Sequence, residues 1–412
     1  MFDLGKTLKE TNTQQVIENT HGPAGCVLLY QSLECMSLVK EMFEFEGWNS
    51  PNCLKQSNIP QSFYSEQSGN IVILELNESD DIVRDAQHFA THLPTHKGII
   101  VIGKEDSIST LRQLKEMGFY YLFWPINKHE FADFVMNVHR NLQTYSGVSK
   151  QRKAKRVAVV GSKGGIGTSL ITTELSSKLS SQNIDTILVD HQYNDSNIDV
   201  LLAMEDFKSR AIDEFSVPIH ELDTEGALSY LTKIRKNLRL LALQSERNQD
   251  DIFSYNQTLC ELLSRNTNFI IEDFSGSVDF RVDPHWLIEN YDVVVVVFEP
   301  SVSSVRNAKV LLEQLESKQV SMSKRIRTIT LANHHCPENT FVIEQTDLKK
   351  YLGSEVNLDM PYCRSLSHLL LEGKRAHKHD RSINRTIEDL TRLINGQQTH
   401  HSTSWLSRLG AR

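Results

Sequence analysis

The residues best suited to chemistry lie between positions 157 and 169. A β-branched run, Val157-Ala158-Val159-Val160, opens into Gly161-Ser162-Lys163-Gly164-Gly165-Ile166-Gly167-Thr168-Ser169, and an apolar stripe at Ile171, Leu175 and Leu179 follows at helical spacing. A strand, a glycine-rich loop and a helix in that order form a phosphate cradle. The glycines let backbone N–H groups converge on phosphate oxygens, and the helix N-terminus adds partial positive charge. Ser169 brings a hydroxyl suited to magnesium. Acidic groups follow later runs: Asp190 opens the polar segment Asp190 to Asp199, and Asp273 ends Phe269-Ile270-Ile271-Glu272.

Lys163-Gly164-Gly165-x-Gly167 resembles the deviant Walker A loop of the MinD/ParA family. The resemblance implies ATP with Mg as ligands, cradled by Lys163, Gly164, Gly165, Ile166, Gly167, Thr168 and Ser169. It implies a homodimer in which Lys163 reaches the partner's phosphates. Ser169, Asp190 and Asp273 would hold Mg directly or through water, with Asn197 and Asp199 completing the switch segment. Asn333 and Pro361 would flank the adenine. The stretch Glu299-Pro300-Ser301 after Val293 to Phe298 also matches a family loop. Two positions depart from the pattern. Thr168 stands where the family has its second lysine, and Gln192 where an aspartate orients water. A neutral Thr168 cannot offset developing phosphate charge, and glutamine is not a base. Binding with slow or absent hydrolysis is expected, with Lys163, Asp190 and Gln192 the remaining candidates for catalysis. No small-molecule substrate besides the nucleotide is implied.

The elements that must position these groups can be read in order. A polar tail (1–23) precedes a first α/β domain (24–142), with strands at Cys26–Tyr30, Asn70–Leu76, Gly98–Ile102 and Phe119–Trp124 and helices at Leu38–Phe45, Ser109–Met117 and Lys128–Leu142. Gly118 supplies a helix C-cap. Residues 143–155 form a linker, and Lys150, Arg152, Lys153, Lys155 and Arg156 mark that region as basic. It reads as a solvated connection or as a patch for nucleic acid or acidic lipid. The P-loop domain spans 156–396, with strands Val157–Val160, Thr186–Val189, Phe269–Glu272, Asp292–Phe298 and Arg327–Ala332. Strands alternating with helices predict mostly parallel, doubly wound sheets. A polar tail (397–412) closes the chain.

Loss of the second lysine after an intact Lys-Gly-Gly-x-Gly resembles the CpaE/TadZ branch of Tad (Flp) pilus assembly proteins, which carry an N-terminal receiver-like, flavodoxin-like domain. A working receiver needs an acidic pair, a phosphoacceptor aspartate, a Ser/Thr and a lysine before proline. The register puts Gln31-Ser32, Glu75, Gly103 and Trp124-Pro125 there, so only Pro125 is kept. The resemblance implies a pseudo-receiver used for docking or dimerisation; an unrelated α/β domain is the alternative. It further implies a cytoplasmic localisation factor, polar or at the inner face of the inner membrane, whose partners are pilus or secretion components. The competing function is a ParA-like ATPase that positions cargo on DNA or the membrane. That needs a basic face, for which Lys374, Arg375, Lys378, Arg381 and Arg385 are candidates, although they read more simply as a solvated helix face.

Bulk properties narrow the field. A net charge of -8 over 412 residues argues against a general nucleic-acid binder. The six cysteines show no zinc-type spacing and are expected as reduced thiols. No signal-peptide core is present, and Val293 to Phe298, the longest apolar run, is too short to span a membrane. In the tail, Trp405, Leu406 and Leu409 lie to one side of a possible helix beside Arg408 and Arg412. This reads as a docking or disordered tail, or as a weak membrane contact.

Overall fold

The computed structural model describes residues 22–23, 25–59, 69–126, 128–144, 152–194, 196–215, 218–245, 249–275 and 282–397. Lys150, Asp195 and the tail residues Trp405, Leu406, Arg408, Leu409 and Arg412 lie outside them. The chain divides into two compact units, 1–90 with 96–152, and 91–95 with 153–412.

The first unit runs β1 (Cys26–Tyr30), α1 (Leu33–Phe45), β2 (Asn52–Lys55), β3 (Ile71–Glu75), α2 (Ile82–Thr91), β4 (Gly98–Gly103), α3 (Ile108–Glu116), β5 (Tyr120–Phe123) and α4 (Lys128–Thr144). Its five strands are parallel in the order β2-β1-β3-β4-β5. β3 and β4 are buried along their whole length, as a sheet covered on both faces requires. Helix α1 begins at Leu33 rather than Leu38, because Ser32 caps it by accepting from the Cys35 N–H. Gly118 takes the expected left-handed conformation, with φ at 79°. Strand β2 was not foreseen. It is a half-exposed sheet edge, so it lacks the continuous apolar run that marks its neighbours.

The second unit contains β6 (Lys155–Gly161), α5 (Thr168–Ser181), β7 (Thr186–Asp190), α6 (Ile198–Leu202), β8 (Arg210–Ala211), α7 (Thr224–Ser229), β9 (Thr232–Arg235), β10 (Leu238–Gln244), α8 (Gln249–Leu263), β11 (Phe269–Phe274), α9 (Pro284–Asn290), β12 (Val293–Phe298), α10 (Val302–Met322), β13 (Arg327–Asn333), α11 (Gln345–Leu352), β14 (Leu358–Met360), α12 (Leu366–Leu371), α13 (Ala376–His379) and α14 (Arg381–Ile394). Its nine-stranded sheet has the order β14-β13-β12-β6-β11-β7-β10-β8, with β9 antiparallel on β10. The P-loop strand β6 is therefore interior, between β12 and β11. Alternate residues of β11 face opposite sides. Phe269 and Ile271 join the core under α5 with Ile171, Leu175 and Leu179, whereas Ile270 packs with α8.

The predicted linker ends earlier than expected. Ala154 is buried and Lys155 already belongs to β6. Among the described residues of the basic run, Arg152, Lys155 and Arg156 are drawn into the fold and Lys153 stays exposed. Lys153 pairs with Glu261, Lys155 donates to the Ile394 carbonyl at 3.1 Å, and Arg156 is buried against Glu272. All six cysteines are free thiols. Among the described residues, no helix is long and apolar enough to cross a membrane.

Candidate functional site

The loop after β6 is held from three sides. The Ser162 N–H donates to the Val297 carbonyl at 2.9 Å, and the Ser162 and Ser304 hydroxyls lie 2.6 Å apart. Asn307 donates to the Ser162 carbonyl at 3.1 Å. On the far side, the Asn333 amide donates to the Ile166 carbonyl at 2.6 Å. Gly165 and Gly167 adopt φ values of 77° and 85°, which a side chain would strain. A Cβ on Gly167 would also collide with the Asn333 amide at 2.6 Å, whereas one on Gly165 would meet nothing within 4 Å. The open side of Gly165 is where a cradle needs room for an oxyanion.

Thr168 opens α5, and only 3% of it is exposed. Its hydroxyl is buried with no hydrogen-bond partner. A buried, unsatisfied hydroxyl costs about 1–3 kcal/mol, and here it sits at the end of the phosphate loop.

Below the loop, Asp190 at the end of β7 and Asp273, one residue before the end of β11, are register partners on adjacent strands. Both are buried. Burial and the neighbouring Asp190 charge push Asp273 up to about 7, against opposing hydrogen bonds from Ser169 and Thr172. Burial likewise raises Asp190 to about 6, opposed by hydrogen bonds from Ser196 and the Gln192 N–H. The structure thus brings Ser169, Asp190 and Asp273 together as a set of hard oxygen donors whose like charges repel. Such a set suits Mg, which would relieve that repulsion. Gln192 bridges the two acidic segments, because its side-chain carbonyl accepts from Ser275 at 3.3 Å. Asp199 lies in the first turn of α6 and accepts from the Val200 N–H at 2.8 Å.

A small cavity of about 120 Å³ adjoins the loop, lined in part by Gly165, Gly167, Asn333, His335, Pro361 and Tyr362. Asn333 and Pro361 thus line one cavity with the loop glycines. The Asn333 amide, however, is committed to the loop backbone.

Three features escaped the sequence reading. Lys163 is ion-paired with Glu299, whose other oxygen lies 3.3 Å from His335. Burial raises the Glu299 carboxyl, but the hydrogen bonds from Lys163 and Ser301 and the Lys163 charge leave it below its ordinary value. The Glu299-Pro300 motif could have flagged the acid, though not its partner. Second, Glu272 is fully buried between Arg156 and His191, which approach at 3.0 and 2.8 Å. The His191 ring stacks on Phe274 with centroids 4.3 Å apart. Third, Glu174 of α5 accepts from the Ala376 and His377 N–H groups and from the His377 ring. This ties the P-loop helix to the segment before α14.

Of the five basic residues proposed as a DNA-binding face, Arg375 alone is buried, and Lys374 stays exposed. Arg375 is 4% exposed and donates to the Leu201 carbonyl, while Lys374 pairs with Glu372. Lys378, Arg381 and Arg385 are exposed.

No family model matches the chain. Over 177 residues it is 25% identical to the septum site-determining protein MinD of Buchnera aphidicola, a match covering 42% of this chain and 63% of that protein. The chain therefore spans less than two thirds of this relative's length. Among solved structures it is similar to a ParA family ATPase from Chlorobium tepidum, with 22% identity, a TM-score of 0.47, and coverage of 57% of this chain and 98% of that one. It is also similar to the MinD cell division protein of Aquifex aeolicus, with 21% identity, a TM-score of 0.46, and coverage of 60% and 98%. The sequence match is a likeness to MinD proteins over part of the chain.

Proposed function

We propose that this protein is a nucleotide-binding localisation and assembly factor of a Tad (Flp) pilus or type II-like secretion machine. In this reading its P-loop unit dimerises around Mg-ATP and hydrolyses it slowly or not at all. The observation that carries the reading is Thr168. The cradle around it keeps its glycines, its hydroxyl Ser169 and its carboxylates, while the cation that would stabilise phosphoryl transfer is replaced by a neutral side chain. Bound Mg-ATP would supply the anionic phosphates and a cleavable phosphoanhydride bond. The Gly165 and Gly167 backbone would cradle the phosphates, and Ser169, Asp190 and Asp273 would hold the magnesium. Lys163 would exchange Glu299 for the partner protomer's phosphates. Gln192 would orient water by hydrogen bonding without removing its proton.

The order β2-β1-β3-β4-β5 supports reading the first unit as a pseudo-receiver. With Gln31, Ser32, Glu75, Gly103 and Trp124 at its chemical positions, its role is docking or dimerisation. Cytoplasmic placement at a pole or at the inner membrane's inner face belongs to the same reading.

Calorimetry with Mg and a slowly hydrolysed ATP analogue tests the nucleotide role. Absence of binding at millimolar nucleotide rejects it. Loss of pilus assembly on deletion, restored by the wild-type chain but not by Lys163→Ala, tests the assembly role. Normal pili in the deletion strain reject that role.

A further inference from the structure

Doubly wound sheets bind ligands in the crevice outside the carboxyl ends of the strands, where the order of connections reverses. In the first unit that point lies between β1 and β3. The crevice contains a residue of the chain itself. Glu75, the last residue of β3, is 0% exposed. Its Oε2 accepts from the Gln31 N–H at 2.7 Å and the Ser32 N–H at 2.9 Å. Its Oε1 accepts from the Ser32 hydroxyl at 2.5 Å and the Asn77 amide at 2.9 Å. The Gln31 side chain reciprocates, its Oε1 accepting from the Glu78 N–H at 2.9 Å. From the edge strand's end, Gln56 donates to the Leu29 carbonyl at 3.3 Å and to that of Glu75.

Two consecutive N–H groups leading into the 13-residue helix α1 form an anion-binding arrangement. Four donors converge on one carboxylate, which stitches the β1–α1 loop to the β3–α2 loop. We infer that Glu75 is the first unit's resident anion. It fills the ligand crevice and holds both loops in one state, so the unit works as a constitutive scaffold with no anionic or phosphoryl input. This inference stands on the first unit's geometry and is independent of the nucleotide reading.

The atoms that Glu75→Ala removes beyond Cβ correspond to those of an acetate ion, which makes rescue a direct test. Hydrogen exchange is followed on the full chain at Gln31, Ser32 and Glu78. In Glu75→Ala, exchange at Gln31 and Ser32 should quicken about tenfold or more. Acetate should restore protection, and chloride at equal ionic strength should not. Glu75→Gln keeps a carbonyl acceptor for the Gln31 and Ser32 N–H groups but removes the charge and turns the oxygen facing Ser32 and Asn77 into a donor, so both amides should exchange faster than in wild type and slower than in Glu75→Ala while β4 stays protected. Inorganic phosphate should leave wild-type exchange at all three amides unchanged. The inference is overturned if acetate and chloride act alike on Glu75→Ala, if Glu75→Gln exchanges like wild type, or if phosphate alters the wild-type pattern. Should Glu75→Ala lose protection throughout β1, β3 and β4 even in acetate, the Glu75→Gln result decides.

Discussion

Glu272 and Asp273 are consecutive residues of β11 on opposite faces of the sheet, and their carboxyls are displaced in opposite directions. Burial raises Glu272, but the Arg156 charge and the His191 hydrogen bond outweigh it and hold the group at about 2. Burial together with the Asp190 charge pushes Asp273 up to about 7, against hydrogen bonds from Ser169 and Thr172. Burial thus gives a settled ion pair on one face and, on the face of the phosphate loop, a raised acid opposed only by hydroxyl hydrogen bonds. The second condition is what a cation site requires.

A pH dependence follows from that raised pair. Between about pH 4, the unfolded value, and the folded values of about 6 and 7, the folded chain binds more protons than the unfolded one. The contribution of Asp190 and Asp273 to stability is therefore present in acid and is lost as pH rises through that window. Magnesium favours the charged forms, so stabilisation by Mg with a nucleotide should grow as pH rises. Melting curves of wild type and Asp273→Asn across this range measure the difference. Identical pH slopes for the two would contradict the assignment.

Thr168→Lys should tighten binding of a slowly hydrolysed ATP analogue by about tenfold or more, because a charge-assisted hydrogen bond replaces a neutral contact. Thr168→Val, which removes the partnerless hydroxyl, should stabilise the nucleotide-free chain by about 1 kcal/mol. Calorimetry and chemical denaturation read the two effects separately. Unchanged affinity in Thr168→Lys would show that the missing charge is not what limits binding.

Lys163 is partly exposed, so its ion pair with Glu299 contributes little to folding, on the order of 1 kcal/mol or less. Lys163→Ala should melt close to wild type yet fail to dimerise when Mg and the ATP analogue are added. Light scattering behind a sizing column distinguishes the outcomes, and dimerisation equal to wild type removes Lys163 from the interface.

Arg156→Met leaves the buried Glu272 carboxylate with His191 and Gln257 but without its guanidinium partner, and should cost about 3 kcal/mol. Adding Glu272→Gln should recover part of that loss, since the penalty comes from the carboxylate left without that guanidinium. Urea denaturation of the single and double variants measures the coupling. A double variant no more stable than the single one would assign the loss to packing on the Tyr291 ring, over which the Arg156 guanidinium lies at 4.7 Å.

The phosphate loop was legible because its chemistry is local: the strand, the glycines and the stripe at Ile171, Leu175 and Leu179 are contiguous in sequence. Asp190 and Asp273 could be placed because each ends an apolar run. What stayed hidden depends on contacts between distant segments. Nothing in the run Lys150 to Arg156 announces that Arg156 faces Glu272, 116 residues away. Arg375 looks like a surface cation until Leu201 is brought beneath it. Strand β10 also escaped notice, because Leu238-Arg239-Leu240-Leu241-Ala242-Leu243 is rich in good helix formers and only its pairing with β7 makes it a strand.

The nine-stranded sheet ends in very short strands, β14 with three residues at one edge, and β8 with two beside β9 with four along the outer flank of β10. Few backbone rungs are left for another chain to extend by strand addition. The ligand-dependent pairing proposed for this unit would therefore run through side-chain surfaces, whose contacts can be made and undone. Assembly of that kind can follow the occupancy of a bound ligand instead of growing irreversibly from an edge.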